Sequence, residues 1–258
     1  MGIGTSIEWT DATWNPATGC RRVSPGCDHC YAATLAKRLK AMGNPRYQND
    51  GPDGPGFGLT LHHDKLQEPL SWRTPRLVFV NSMSDLFHAD IPDEFVASVW
   101  KTMAAASLHR FQILTKRPRR MAALVARLVE IHGVLPNVWL GASVESDDYA
   151  WRVDWVRRTP SVIRFLSLEP LLGPLPSLNL KGIDWMIVGG ESGRNHRPPD
   201  ACWVRDLRDR ATAASVAFFF KQWGGLTPKA GGRELDGRTW DEMPIANNGL
   251  LDLMERGY

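Results

Sequence analysis

Cysteine is scarce in this 258-residue chain. Its four copies are too few for the disulfide framework that staples small secreted domains. No run of about 18 apolar residues occurs, so a membrane-spanning helix is not expected. The first residues lack a basic stretch followed by an apolar one, so no secretory signal is expected either and a cytoplasmic location is. Charge of one sign is not in large excess. The 31 Lys and Arg against 28 Asp and Glu leave a net +3, which by itself does not argue for a nucleic-acid partner. No G-x-G-x-x-G follows an apolar run, which weakens a dinucleotide-binding reading.

What is present is concentrated. Three of the four cysteines, Cys20, Cys27 and Cys30, stand in one loop with the spacing C-x6-C-x2-C. A thiolate triad at that density points to a metal or cluster site. Structural zinc and iron–sulfur clusters both usually take four protein ligands, so three leave one position open. Cys202 stands alone and reads as a small buried hydrophobe. Eleven tryptophans is a high count, and several are expected to line a site.

Along the chain, Ile7-Glu8-Trp9-Thr10 reads as a short strand before the cysteine loop. Residues 31–42 read as a helix, with Leu35 and Leu39 four apart. Residues 43–60 contain the clearest run of breakers, Asn49-Asp50-Gly51-Pro52-Asp53-Gly54-Pro55-Gly56, and read as a loop or lid. A regular alternation follows. Strands are expected at 76–80, 111–115, 137–141, 162–167, 184–188 and 216–220. Helices are expected at 92–108, from Pro118, at 147–157 and at 200–214. Strands alternating with helices imply right-handed βαβ units and a parallel sheet. The expected fold is α/β: one domain over 1–258, a partial or nearly closed TIM-like barrel of six or seven β/α units. A flat doubly wound sheet is the competitor. The segment 226–258 is expected to be a small appendage, with a β-hairpin turning at Asp236-Gly237.

The cysteine loop and its flanks carry a resemblance. With Ile7-Glu8-Trp9-Thr10 and Trp14-Asn15-Pro16 before it, Gly26-Cys27-Asp28-His29-Cys30-Tyr31-Ala32 resembles a phage-associated family of three-cysteine-motif proteins. That family is related to the spore-photoproduct-lyase branch of the radical-SAM superfamily. The commonest superfamily spacing is C-x3-C-x2-C, with an aromatic residue before the last cysteine. This chain keeps the second gap and places His29 at that position, and it lengthens the first gap to six. The resemblance implies a (β/α)6-type partial barrel, with Cys20, Cys27 and Cys30 holding three irons of a [4Fe–4S] cluster. The fourth iron would be chelated by S-adenosylmethionine. The implied reaction is reductive cleavage of that cofactor to a 5′-deoxyadenosyl radical, which abstracts hydrogen from a substrate. It also implies a reductant such as flavodoxin or ferredoxin.

In parallel α/β folds ligands sit at the carboxyl ends of strands. Residue by residue, the resemblance then suggests Ser84 (or Ser82), Lys116 and Ser143 as cofactor contacts. Asp85 is offered for the amino group and Glu145 for the ribose, and Gly189 and Gly190 for backbone approach to the adenine. Glu191, Lys221 and Tyr31 are the candidates for the chemistry, with Arg194 as a substrate contact. The substrate class suggested is a nucleic acid base or a nucleotide, as in phage DNA repair or modification. Arg21, Arg22, Lys116, Arg117, Arg119 and Arg120 are the basic residues that would meet phosphates. A partner protein from a neighbouring gene is also an expectation. The rival is a non-redox, zinc-stabilised nucleic-acid-binding or scaffold barrel, with His29, His62 or His63 completing a Cys3His site. A further rival keeps the cofactors only for sensing or stability.

Overall fold

In the computed structural model of the chain, residues 4–245 are described. The sheet begins at β1 (Ala12–Trp14), not at the expected 7–10. Residues 7–10 instead form a turn, with Thr10 N donating to Ile7 O at 3.4 Å. Pairing starts one step later, where Asp11 exchanges bonds with Leu77 through both backbone and side chain. The turn leaves Trp9 free to plug the sheet from below.

After β2 (Ala17–Thr18), the cysteine loop and α1 (Tyr31–Ala41) comes β3 (Thr60–Leu61), which pairs antiparallel with β2. The alternating part then runs β4 (Leu77–Val80), α2 (Asp93–Ala105), β5 (Arg110–Thr115), α3 (Pro118–His132), β6 (Val138–Ser143) and α4 (Arg152–Arg158). It ends with β7 (Ile163–Leu168), β8 (Trp185–Gly189), α5 (Ala201–Ala213) and β9 (Ala217–Gln222). Seven parallel strands lie in the order β1-β4-β5-β6-β7-β8-β9, with β1 and β9 at the open edges. This is a curled half-barrel, so the expected α/β class and parallel winding hold.

Both faces of the strands are buried, as parallel sheets require. With a side-chain period of two, alternate residues face opposite ways. Val78, Val80, Phe111, Ile113, Leu140, Leu166, Met186, Val188, Phe218 and Phe220 pack outward with the helices, against Val96, Trp100, Val125 and Leu207. Their neighbours Phe79, Trp139, Phe165, Trp185, Ile187 and Phe219 pack inward with Trp9. Trp185 is the hub, with ring centroids 6.1 Å from both Trp9 and Trp139 and 5.6 Å from Phe165. These aromatics close the amino-terminal end of the half-barrel. Ser143, Ser167, Gly189 and Lys221 share their inward parity but lie at the carboxyl ends. The concave face therefore runs from an apolar floor to a polar rim.

The 43–60 segment is packed as a wall. Tyr47 and Phe57 are buried against Ala32, Ala36 and Met83, and Lys40 pairs with Asp50 at 2.5 Å. The tail turns at Asp236-Gly237, both at positive φ, as expected. The hairpin arms shrink to one bridge, Leu235 to Arg238. The chain then runs antiparallel along the free edge of β9, with Phe220 N donating to Trp240 O at 2.9 Å and Asp241 bridging Phe219. That covers an edge that would otherwise be open to pairing. The rest of the expected appendage, 246–258, lies outside the described residues.

Candidate functional site

The cysteine loop spans the carboxyl-terminal mouth of the half-barrel, and five other segments hold it there. Gly19 N donates to Met83 O at 2.9 Å, and Ser84 Oγ returns a bond to Gly19 O at 2.6 Å. Gly19 itself has φ +83°, and a Cβ there would stand 2.2 Å from Gly58 O. Only glycine lets the loop approach the 43–60 wall so closely. Arg22 N donates to Asp53 Oδ2 at 2.8 Å. Gly26 N meets Glu145 Oε1 at 3.4 Å. Arg117 reaches Arg21 O and Cys20 Sγ at 2.8 and 3.6 Å. Arg197 reaches Pro25 O at 2.9 Å and Asp28 at 3.3 Å, and Asp28 also pairs with Arg22.

Held this way, Cys20, Cys27 and Cys30 line one cavity of about 650 Å³, a volume suited to a cofactor-sized ligand. All three are free thiols and half-buried. Burial, then the Asp85 carboxylate, push the Cys20 thiol up to about 11, against the opposing pull of Arg117. Burial also pushes up Cys30, while the Lys116 ammonium pulls it down. Metal binding at this loop must therefore displace protons. Cys202 does not line the cavity. It is exposed at the start of α5, where Asp200 caps its backbone at 2.8 Å, which corrects its reading as a buried hydrophobe.

The donor set, three thiols from one short loop, is of the chemical type that iron–sulfur clusters take. Among the described residues, no three His, Cys, Asp or Glu side chains are grouped so as to hold one metal ion. Two of the three histidines of the zinc alternative are engaged elsewhere. His62 Nε2 lies 2.9 Å from Thr18 Oγ1, and His63 stacks edge-on to Phe95. His29 lines the cavity, with Nδ1 2.9 Å from Glu191 Oε2.

Several expected ligand contacts are structural. Asp85 is buried and accepts from Phe87 N, Thr115 Oγ1, Lys116 N and Arg117. Glu145 is fully buried and paired with Arg152 at 2.8 Å. Ser84 is spent on Gly19, and Ser82 Oγ donates to Asn15 Oδ1 at 3.2 Å. Ser143 is buried, and its carbonyl accepts from Arg152 at 2.9 Å. A Cβ on Gly190 would lie 2.0 Å from Trp223 O, so its smallness serves the chain's own backbone. A Cβ on Gly189 would meet only side chains, 3.3 Å from Glu169 and 3.5 Å from Lys221. Glu191 is buried. Desolvation raises its carboxyl, but bonds from Arg197 and His29 outweigh that and hold it down at about 2.

The remaining candidates lie at the mouth. Lys116 acts electrostatically on Cys30 and has no ion-pair partner among the described residues. Arg194 lines the cavity beside Ser192 and Asn195. Lys221 pairs with Glu169 at 2.7 Å, and Glu169 Oε1 is buried without a hydrogen-bond partner among the described residues. Tyr31 is exposed and donates to Ser82 O at 2.5 Å.

The expected basic residues divide, with Arg21 and Arg22 on the cavity wall and the helix-start arginines engaged by neighbours. Arg117 pairs with Asp85, Arg120 with Asp93, and Arg119 stacks over Trp151 at 4.9 Å. No tryptophan lines the cavity, and Trp9, Trp14, Trp100, Trp139 and Trp185 are core. Sequence reasoning placed Glu169 at the rim but missed Arg152 and Arg197. The signal for Arg152 and Arg197 was an unbalanced carboxylate, since Glu145 and Glu191 had no assigned counter-charge.

Fold and site together define a class: a parallel half-barrel protein with a three-cysteine loop over its carboxyl-terminal mouth. The chain belongs to the family described as "Protein of unknown function (DUF5131)", which it matches over residues 4–244. No curated protein matches it. Two solved structures are similar. One is a cysteine-to-serine mutant of spore photoproduct lyase, at 13% identity and TM-score 0.47, covering 74% of this chain and 59% of that one. The other is spore photoproduct lyase complexed with dinucleoside spore photoproduct, at 14% identity and TM-score 0.43, covering 68% and 54%. The chain thus spans less than two thirds of either.

Proposed function

We propose that this protein is a radical-SAM enzyme whose [4Fe–4S] cluster is held by Cys20, Cys27 and Cys30. The observation that carries the reading is the placement of three free thiols of one loop around one cavity, with the fourth cysteine elsewhere. When bound, the cluster and S-adenosylmethionine supply one-electron cleavage of the sulfonium and hydrogen abstraction from an unreactive C–H. The chain's own residues bind, orient and exclude water. Phe57 and Pro55 keep bulk water from one side of the cavity. Lys116 places positive charge beside Cys30 and favours its thiolate.

The substrate proposed is a nucleic acid base or nucleotide. Arg21, Arg22, Lys37 and Arg194 all line the cavity, against Asp28 and Asp53, so the wall carries net positive charge suited to phosphate. Asp28 and Asp53 are already bonded to Arg22. The electron donor proposed is a flavodoxin or ferredoxin.

The test is anaerobic reconstitution followed by incubation with dithionite and S-adenosylmethionine. The protein should be brown, absorb broadly near about 400 nm as iron–sulfur proteins do, and form 5′-deoxyadenosine. Cys30→Ala should abolish iron loading, and Cys202→Ala should leave it intact. Equal loss in both would mean Cys202 is a ligand and the open iron position does not exist. A cluster that loads but yields no 5′-deoxyadenosine would mean a sensing or structural role.

A further inference from the structure

The loop after β5 presents a charged donor to the first cysteine. The Arg117 guanidinium is mostly buried and is held on several sides. Its Nη1 lies 2.8 Å from Asp85 Oδ2 and 3.6 Å from Cys20 Sγ, and its Nη2 donates to Arg21 O at 2.8 Å. Its backbone N donates to Thr115 Oγ1 at 2.8 Å. Asp85 is locked in turn. It accepts from Thr115 Oγ1 at 2.7 Å, Phe87 N at 3.0 Å and Lys116 N at 3.1 Å. The result is a continuous chain of bonds from the ends of β4 and β5 to one sulfur. Among the described residues, neither Cys27 nor Cys30 receives a hydrogen bond from a side chain, and Cys30 has only the neutral backbone donors of Ala32 and Ala33. The three thiols are therefore not equivalent.

We propose that Arg117 is a positioning residue for an iron–sulfur centre in this loop, orienting the Cys20 sulfur and raising the reduction potential of the centre. The inference rests on the function proposed above. Partners outside the ligand shell orient ligands and tune the metal, and hydrogen bonds to cluster sulfurs are among the settings of its potential. Reduction adds one electron, part of whose density falls on the sulfurs. A charged donor stabilises that electron-rich state more than the oxidised one. Arginine's planar fork can serve the carboxylate, the carbonyl and the sulfur at once, and a lysine ammonium on a flexible stem matches them less well.

The test uses the full chain, loaded anaerobically with iron and sulfide and titrated with dithionite in the presence of redox mediators. The reduced centre is followed by its EPR signal. At a fixed potential, Arg117→Met should show about a tenfold lower ratio of reduced to oxidised centres than wild type, equivalent to about 59 mV for a one-electron couple. Arg117→Lys should shift in the same direction by less, with iron per chain unchanged. If Arg117→Met does not fold, Arg117→Lys carries the test alone. Equal midpoints in iron-loaded wild type and variants overturn this inference and leave the proposed function standing. A wild-type chain that holds no iron overturns both.

Discussion

Asp85 and Glu145 sit just beyond strand ends, where the sequence makes them natural ligand contacts. Each is instead consumed by an arginine that sequence reading gives another role or none. Glu145 with Arg152 is the clearer case, since both side chains are almost wholly buried. Removing one partner leaves a buried charge unpaired, which typically costs about 3–5 kcal/mol. Arg152→Met should lower stability by about that amount in chemical denaturation. A loss within about 0.5 kcal/mol, the range of ordinary surface changes, would contradict the pairing. Glu191 yields a pH prediction. Its folded carboxyl is held at about 2, below the ordinary 4.5. Its stabilisation is therefore present above about 4.5 and lost as pH falls toward 2, on the order of 2–3 kcal/mol in full. Glu191→Gln should flatten unfolding stability over that acid window relative to wild type. An unchanged acid slope would mean that Arg197 and His29 do not hold the carboxylate. The spacing of the cysteines was legible from the sequence alone, because ligand residues on one short loop need no tertiary information. The counter-charges were not, because Arg117, Arg152 and Arg197 find their partners only after the strands align.

Among the elements, the cysteine loop has one backbone position that only glycine fits. Gly19 combines a left-handed φ with a close approach to Gly58 O. Conformation alone costs an alanine there about 1–2 kcal/mol, and the clash adds to it. Gly19→Ala should leave far-UV circular dichroism of the parallel sheet largely intact while iron loading falls several-fold. Full loading in that variant would show that the loop does not need this approach. The strands and helices followed from apolar runs and amphipathic periodicity, and nearly all begin within two residues of expectation. The first strand did not. Ile7-Glu8-Trp9-Thr10 has strand composition, but Trp9 is worth more as a plug against Phe79 and Trp185, with centroids 4.8 and 6.1 Å away. The 147–157 helix is broken into a short 3-10 turn at Asp147–Tyr149 and the helix Arg152–Arg158. The broken turn also lets Asp147 accept from both the backbone and the hydroxyl of Ser177.

For the whole molecule, parity along the strands produces the site. One set of side chains binds the helices, the other closes the floor, and the polar ends of the second set form a rim under the cysteine loop. The class of fold was readable because alternating strands and helices leave few topologies. The destination of the tryptophans was not, since nothing local distinguishes a floor from a lined pocket. The account turns on whether three thiols hold a centre with one position left for a ligand. The most direct measurement is iron and sulfide content of oxygen-free protein, together with its EPR spectrum before and after S-adenosylmethionine is added. Four irons per chain are expected, as a [4Fe–4S] cluster requires, with a spectrum that changes when the cofactor binds. Stoichiometric zinc in place of iron, or an iron spectrum indifferent to S-adenosylmethionine, would contradict it.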